Sequence, residues 1–159
     1  MYKRQSQNRT PAAPPPSGPE YLLVDGYNVI FAWDELKKIA AENLDAARRR
    51  LMDILCNYAG YRKCVPILVF DAYRVKGAGR EQETWHNLHV IYTREAETAD
   101  MFIERATHEL AKNHRVRVVS SDGAEQIIIL GNGALRVSAR AFEREVRAVE
   151  AEIREFLDQ

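Results

Sequence analysis

Acidic side chains follow three strand-like segments of this chain, and their positions are the first indication of chemistry. Asp25 ends the segment LLVD, Asp71 follows VPILVF, and Asp122 follows RVRVVSS. Short apolar runs bounded by turn residues are typical of strands buried on both faces of a parallel sheet. Because the carboxyl ends of parallel strands meet at one edge, where ligands bind, we expect these aspartates to converge.

A further pair of acids lies at the expected start of a helix. Thr98 is a suitable N-cap for a helix that ends near Asn113, Asp100 lies in its first turn, and Glu97 lies just before it. Clustered carboxylates repel one another, and their burial is costly unless cations neutralise them. Mg²⁺ and Mn²⁺ are hard ions that prefer such oxygen ligands. The pattern therefore indicates phosphoryl chemistry, in which a metal activates water for in-line attack on phosphorus.

Each acid also has a purely structural interpretation. The Asp25-Gly26 pair suits a simple turn, Asn28 suits a helix cap, and each aspartate suits the cap of a neighbouring helix. The sequence contains no GxxxxGK[ST] or GxGxxG phosphate loop and no GxSxG elbow. Cys56 and Cys64 fit no metal or redox spacing, so we expect reduced packing residues.

The elements that position these residues alternate between strands and helices. Strands are predicted at 21–25, 65–70, 88–92, 115–120 and 135–137, and helices at 34–41, 43–61, 98–113, 124–130 and from Ser138 onward. Parallel strands joined by helices indicate an α/β sheet with right-handed crossovers. The charged, glycine-containing segment 72–85 is predicted to be irregular. It is either a mobile surface loop or a basic and aromatic surface for single-stranded nucleic acid.

Composition limits the partners of the chain. Its 159 residues include 23 Lys and Arg and 23 Asp and Glu, so the formal net charge is zero and any basic groove must be local. Residues 1–20 are rich in proline and are predicted to be a disordered tail or linker, followed by one domain at 21–159. The apolar runs are too short for a membrane helix, and we expect a cytoplasmic protein without membrane contacts.

Five blocks in order carry a family resemblance: VDGYNVIFAW, VFDAYRVKG, YTREAETADMFIE, VVSSDGAEQ and GNGALRVSAR. Over roughly residues 21–157 the chain resembles the YacP-like NYN domains, which are relatives of the PIN-domain ribonucleases. The resemblance implies a three-layer α/β/α PIN-like domain with a mainly parallel central sheet. It also implies metal-dependent endonucleolytic cleavage of RNA.

The same resemblance assigns roles to individual residues. Asp25, Asp100 and Asp122 match acids that would hold one or two Mg²⁺ or Mn²⁺ ions. Asp71 and Glu97 would act through metal-bound water, and Asn28 would orient Asp25 or the scissile phosphate. The basic residues expected to contact the RNA backbone are Arg74, Lys76, Arg136 and Arg140.

The expected activity is hydrolysis of RNA that leaves a 5′-phosphate and a 3′-hydroxyl. Because the net charge is zero, a partner such as the ribosome is expected to deliver the substrate, which would then be mRNA at the ribosome. Two alternatives remain open at this point: a non-catalytic RNA- or ribosome-binding module and a small-molecule phosphohydrolase. The sequence leaves the oligomeric state open.

Overall fold

Strands and helices alternate along the chain. A computed structural model describes residues 18–72, 81–120, 128–129 and 133–159. Within these residues the elements are β1 (Tyr21–Asp25), α1 (Gly26–Ala32), α2 (Asp34–Glu42), α3 (Leu44–Arg62), β2 (Val65–Phe70), β3 (Glu81–Trp85), β4 (Leu88–Tyr92), α4 (Ala99–Leu110), β5 (Val116–Ser120), β6 (Ile128–Ile129), β7 (Leu135–Ser138) and α5 (Ala139–Leu157).

The strands of the described residues form one seven-stranded sheet in the order β3-β4-β2-β1-β5-β7-β6. The five inner strands are parallel to one another, whereas the outer strands β3 and β6 run antiparallel to β4 and β7. Helices α1, α3 and α5 contribute to the apolar cluster on one face of the sheet, and α4 contributes to the cluster on the other. The predicted three-layer fold with a mainly parallel sheet is confirmed.

β1 lies at the centre of the sheet and is buried on both faces. Leu22 and Val24 pack in the cluster beneath α1, α3 and α5, whereas Leu23 packs beneath α4. This two-sided burial explains why the strand is continuously apolar rather than alternating. From β1 the chain builds β2 and β4 in one direction and later β5 and β7 in the other. The strand order therefore reverses beside β1, and such a reversal opens a crevice at the carboxyl ends of the strands.

Predicted helix starts were accurate where a polar side chain caps the first turn. The side chains of Asn43, Thr98 and Ser138 accept hydrogen bonds from the backbone N–H groups of the first turns of α3, α4 and α5. These contacts are local, so the sequence alone specifies them.

Three sequence predictions need correction. Segment 72–85 was expected to be irregular, but Glu81–Trp85 is strand β3, which pairs with β4 across a tight turn at His86. The polar sequence EQETW lacks apolar alternation because β3 is an outer strand. The helix predicted at 124–130 is wrong at Ile128–Ile129, which pair with β7. Helix α1 was not predicted, because the DGYN sequence suggested a turn.

Several predictions fall on residues outside the described part of the chain. They are the tail at residues 1–17, Arg74 and Lys76, and Asp122. Residues 18–20 are described, and the carbonyl of Glu20 accepts a hydrogen bond from the Val65 N–H at 2.9 Å. Among the described residues, no helix combines the length and apolar character needed to cross a membrane.

Candidate active site

Asp25 joins the central strand to helix α1. It is the last residue of β1 and the N-cap of α1, and its Oδ1 accepts a hydrogen bond from the Asn28 N–H at 3.4 Å. The side-chain amide of Asn28 donates to Oδ2 at 2.7 Å. Only 5% of Asp25 is exposed. Asn28 therefore holds both carboxylate oxygens of a buried aspartate, which agrees with the orienting role expected for it.

Burial and neighbouring charge make Asp25 hard to ionise. Desolvation by burial is the main cause that raises the pKa of this carboxyl group, and the hydrogen bonds from Asn28 partly counteract it. The negative charges of Asp100 and Asp71 raise the pKa further, and the net result is a pKa of about 6. Asp71 and Asp100 therefore both lie near enough to Asp25 to repel its negative charge.

Asp71 connects the end of β2 to the start of α4. Its Oδ1 accepts a hydrogen bond from the backbone N–H of Ala99 at 2.6 Å. Nearby, the buried Thr93 hydroxyl accepts from the Ala72 N–H at 3.1 Å and donates to the Glu97 carbonyl at 2.8 Å. These contacts fix the first turn of α4, and with it Asp100, beside the ends of β1 and β2. No local pattern marks Thr93 for this role, because it depends on contact with Ala72, which is 21 residues away in the chain.

One cleft brings three of the predicted acids together. We call it the acidic cleft. It has a volume of about 380 Å³ and is lined by Asp25, Tyr27, Asn28, Phe31, Asp71, Thr98 and Asp100. Asp25 is buried, Asp71 is half-buried and Asp100 is exposed. The acids thus extend from the floor of the cleft to solvent, as expected for a site that takes a charged ligand from water.

Glu97 does not line the acidic cleft. Its carboxylate pairs with the guanidinium of Arg105 at 2.5 Å and accepts from the Arg94 N–H at 3.5 Å. The prediction that Glu97 acts on water therefore receives no support from this geometry. Asp122, the third proposed metal ligand, lies outside the described residues.

Two of the four basic residues predicted to contact RNA, Arg136 and Arg140, lie in the described part of the chain. Asp100 also borders a second cleft of about 830 Å³, which Met101, Thr107, Ser120 and Arg136 help to line. There the Nε of Arg136 donates to the Ser120 hydroxyl at 2.8 Å. Arg140 is exposed in the first turn of α5. Arg136 is thus on a surface continuous with the acidic cleft, through the shared wall at Asp100.

The acidic cleft has the donor chemistry of a site for a hard divalent cation. Its acids offer carboxylate oxygens, and a cation would offset the burial and, to a smaller extent, the repulsion that raise the pKa of Asp25. In the described part of the chain, no group of three or more His, Cys, Asp or Glu side chains is arranged to hold a metal ion. A complete ligand set would therefore need another donor, and Asp122 is the residue that the sequence offers.

Close packing beneath the cleft explains the glycine after Asp25. A Cβ on Gly26 would lie 2.2 Å from the Phe70 ring, and the backbone φ at this position is not positive. Gly26 is therefore needed for close approach rather than for the sharp turn that the sequence suggested. Phe70 is fully buried and is held between Tyr27 and Tyr92.

Comparison with known proteins gives one consistent result. A family model described as the YacP-like NYN domain matches residues 22–159. The chain is 44% identical over 135 residues to a Bacillus subtilis (strain 168) protein described as uncharacterized protein YacP, covering 84% of this chain and 79% of that protein.

Two crystal structures of Rae1 (YacP) from Bacillus subtilis have a similar fold. One superposes with a TM-score of 0.72 at 42% identity and covers 87% of this chain and 79% of that one. The other, a tryptophan-to-leucine mutant, has a TM-score of 0.71 at 40% identity and covers 86% of this chain and 80% of that one.

Proposed function

This chain belongs to the YacP-like NYN domain family, and on that premise we propose that it is a metal-dependent endoribonuclease. Family membership suggests an RNA-related nuclease. The observation that carries the finer proposal is the acidic cleft, where Asp25, Asp71 and Asp100 meet at the carboxyl end of the sheet. Phosphodiester hydrolysis needs a group that activates water and stabilises negative charge, and a cation bound by such acids supplies both.

The proposed ligands of the cation are Asp25, Asp100 and Asp122. When bound, Mg²⁺ or Mn²⁺ would activate water and neutralise charge at the scissile phosphate. Asn28 keeps both oxygens of Asp25 in place, and Asp71 holds the start of α4 through the Ala99 N–H. Asp71 also adds negative charge at the cleft, and we propose that it orients the attacking water. Hydrolysis of this kind leaves a 5′-phosphate and a 3′-hydroxyl.

Glu97 is better assigned to support of the site than to contact with water. Its backbone carbonyl accepts from Thr93 and its carboxylate pairs with Arg105, one of the residues of α4. Glu97 therefore restrains the segment that leads into α4. We propose a positioning role for it.

Substrate binding is proposed to use local positive charge. Arg136 lines the second cleft together with Asp100, Arg140 is exposed at the start of α5, and Arg74 and Lys76 are proposed from sequence. Since the chain has no net charge, long-range attraction of RNA is weak, which supports delivery by a larger partner. We propose that this partner is the ribosome, that the substrate is mRNA, and that the protein acts in the cytoplasm.

Cleavage of an end-labelled structured RNA tests the proposal. Reactions contain Mn²⁺, Mg²⁺ or EDTA, with the wild-type chain, Asp25→Asn, Asp100→Asn and the control Glu155→Gln, which removes an exposed acid from α5. We expect cleavage that needs metal and is lost by at least 100-fold in both aspartate variants but not in the control. Cleavage that survives EDTA, or equal activity in all four proteins, would overturn it.

The two alternative functions give different results in companion assays. Calorimetry with Mn²⁺ on the same proteins tests for metal at the acidic cleft. RNA binding without metal binding or cleavage would indicate a non-catalytic RNA- or ribosome-binding module. Turnover of a generic phosphomonoester without cleavage of RNA would indicate a small-molecule phosphohydrolase.

A further inference from the structure

Phe31 is an aromatic side chain that lies exposed at the acidic cleft. It lines the cleft together with Asp25 and Asp71, and 42% of it is accessible to solvent. It lies one helical turn after Asn28 in α1, so it shares a side of this helix with the residue that holds Asp25. Its position is thus fixed by the same helix that fixes the floor of the cleft.

The Phe31 ring rests on a rigid support. It stacks on Tyr27, with ring centroids 6.3 Å apart and an angle of 27° between the planes. Tyr27 is buried, packs on Phe70 at 4.9 Å, and its hydroxyl accepts a hydrogen bond from Arg48 Nη1 at 3.0 Å. One side of Phe31 is therefore braced within the protein, while its exposed surface lies at the cleft.

We propose that Phe31 is a stacking platform for an unpaired RNA base next to the scissile phosphate. This inference rests on the proposed function, because the acids of the cleft must face the phosphodiester backbone. The base attached to that backbone then needs an apolar surface, which carboxylates do not provide. Phe31 is the exposed aromatic side chain of this cleft, and stacking accepts any base because every base has a π-face.

The platform also defines the substrate class. A base within a duplex is already stacked on its neighbours and paired, so it gains little from Phe31 unless it first leaves the helix. A base in a single-stranded segment is available without that cost. Phe31 therefore favours single-stranded RNA, or loops within a structured RNA, over continuous duplex.

A coupling measurement tests the platform without requiring cleavage. Binding of a fluorescent single-stranded RNA is measured by anisotropy in Ca²⁺, a hard cation that also takes carboxylate oxygens, and a series of oligonucleotides replaces one nucleotide at a time by an abasic residue. The proteins are the wild-type chain, Phe31→Leu, Phe31→Trp and the control Phe156→Leu. Phe156 is 69% exposed near the end of α5 and does not line either cleft.

We expect Phe31→Leu to weaken binding of intact RNA on the order of tenfold, because leucine keeps an apolar surface but removes the π-face. Phe31→Trp should bind at least as well as the wild-type chain, and Phe156→Leu should bind equally well. At one position of the RNA series, the abasic residue should weaken binding by the wild-type chain but not by Phe31→Leu. That loss of coupling identifies the stacked base.

The outcomes separate this inference from the proposed nuclease activity. Equal abasic effects in the wild-type chain and Phe31→Leu overturn the platform, even if the protein cleaves RNA. Failure of the wild-type chain to bind the intact oligonucleotide also overturns it. Coupling at one nucleotide in a protein that does not cleave RNA supports the platform while overturning the nuclease.

Discussion

Ionisation of the buried Asp25 carboxyl group destabilises the folded protein. The folded protein raises the pKa of this carboxyl group from 3.8 to about 6, so folding favours its protonated form. The stability that this group contributes is present below about pH 4 and is lost as the pH rises through 6. The shift corresponds to a loss of about 3 kcal/mol in the free energy of unfolding.

The variant Asp25→Asn removes this titration. In metal-free buffer, we expect its stability relative to the wild-type chain to increase by about 3 kcal/mol between pH 4 and pH 7. The free energy of unfolding is measured with urea across this range. If the difference in the free energy of unfolding between the two proteins did not change with pH, the pKa of Asp25 would be the same in the folded and unfolded chains, and the prediction would be wrong. The substitution should thus improve relative stability at neutral pH while abolishing RNA cleavage.

Asp71 allows charge and hydrogen bonding to be separated. Asp71→Asn keeps an oxygen that accepts from the Ala99 N–H, whereas Asp71→Ala leaves this N–H of a buried residue without its partner. We expect the alanine variant to be about 1–3 kcal/mol less stable than the asparagine variant. RNA cleavage should be strongly reduced in both. Equal urea midpoints for the two variants would contradict the anchoring role.

The sequence predicted the site residues whose place depends on the end of a strand or the start of a helix. Asp25 and Asp71 end buried strands, and Asp100 opens a capped helix, so sequence alone indicated that they would meet. The roles of Thr93 and Tyr27 depend on contacts between segments far apart in sequence. Thr93 joins Ala72 to Glu97, and no local pattern marks a threonine for that purpose.

Helix α1 was not predicted because its determinants are tertiary. It has only seven residues, and its amino end lies where the sequence suggests a turn. What stabilises it is burial: Val29 and Ile30 pack in the core, and the Asp25 side chain caps its first turn. Strand β3 was not predicted for a related reason, since its pairing with β4 depends on backbone hydrogen bonds rather than on apolar side chains.

Gly26→Ala tests the close packing of α1 on the sheet. The added methyl group would overlap the buried Phe70 ring, which cannot move freely between its two tyrosine neighbours. We expect a loss of about 1–3 kcal/mol in the free energy of unfolding. Gly60→Ala is the matched control, because a Cβ there meets no atom within 4 Å. In thermal denaturation the control should retain or exceed wild-type stability, and similar losses in both variants would contradict the explanation.

At the scale of the whole molecule, a charged cluster around Arg117, away from the acidic cleft, joins β5 to α3 and α5. Arg117 on β5 donates to Glu145 of α5 at 2.7 Å and to the Tyr58 hydroxyl of α3 at 2.7 Å, and it also pairs with Glu20 at 3.3 Å. Burial alone would raise the pKa of Glu145, but hydrogen bonds and charge from Arg117, with a hydrogen bond from Tyr58, hold it below its usual value. The cluster thus fastens α3 and α5 to the same face of the sheet.

Glu145→Ala should lower the free energy of unfolding by about 2 kcal/mol, because it leaves the half-buried Arg117 guanidinium with less compensation. Glu152→Ala is the control, since it removes a carboxylate on the same helix that accepts from the exposed Tyr61 hydroxyl. That control should change stability by less than about 0.5 kcal/mol. Urea unfolding measures both variants, and an equal effect of the two would contradict a structural role for the cluster.

The two outer strands of the described sheet, β3 and β6, are the edges at which it could pair with another chain. An open strand edge exposes unpaired backbone groups and invites pairing with another chain. In the part of the chain that the structure describes, β6 is two residues long, and β3 has the sequence EQETW with two glutamates. A short edge offers few hydrogen bonds, and a negatively charged edge repels a second copy of itself. We therefore expect the polar sequence of β3 to disfavour pairing of this edge with a second copy of the chain.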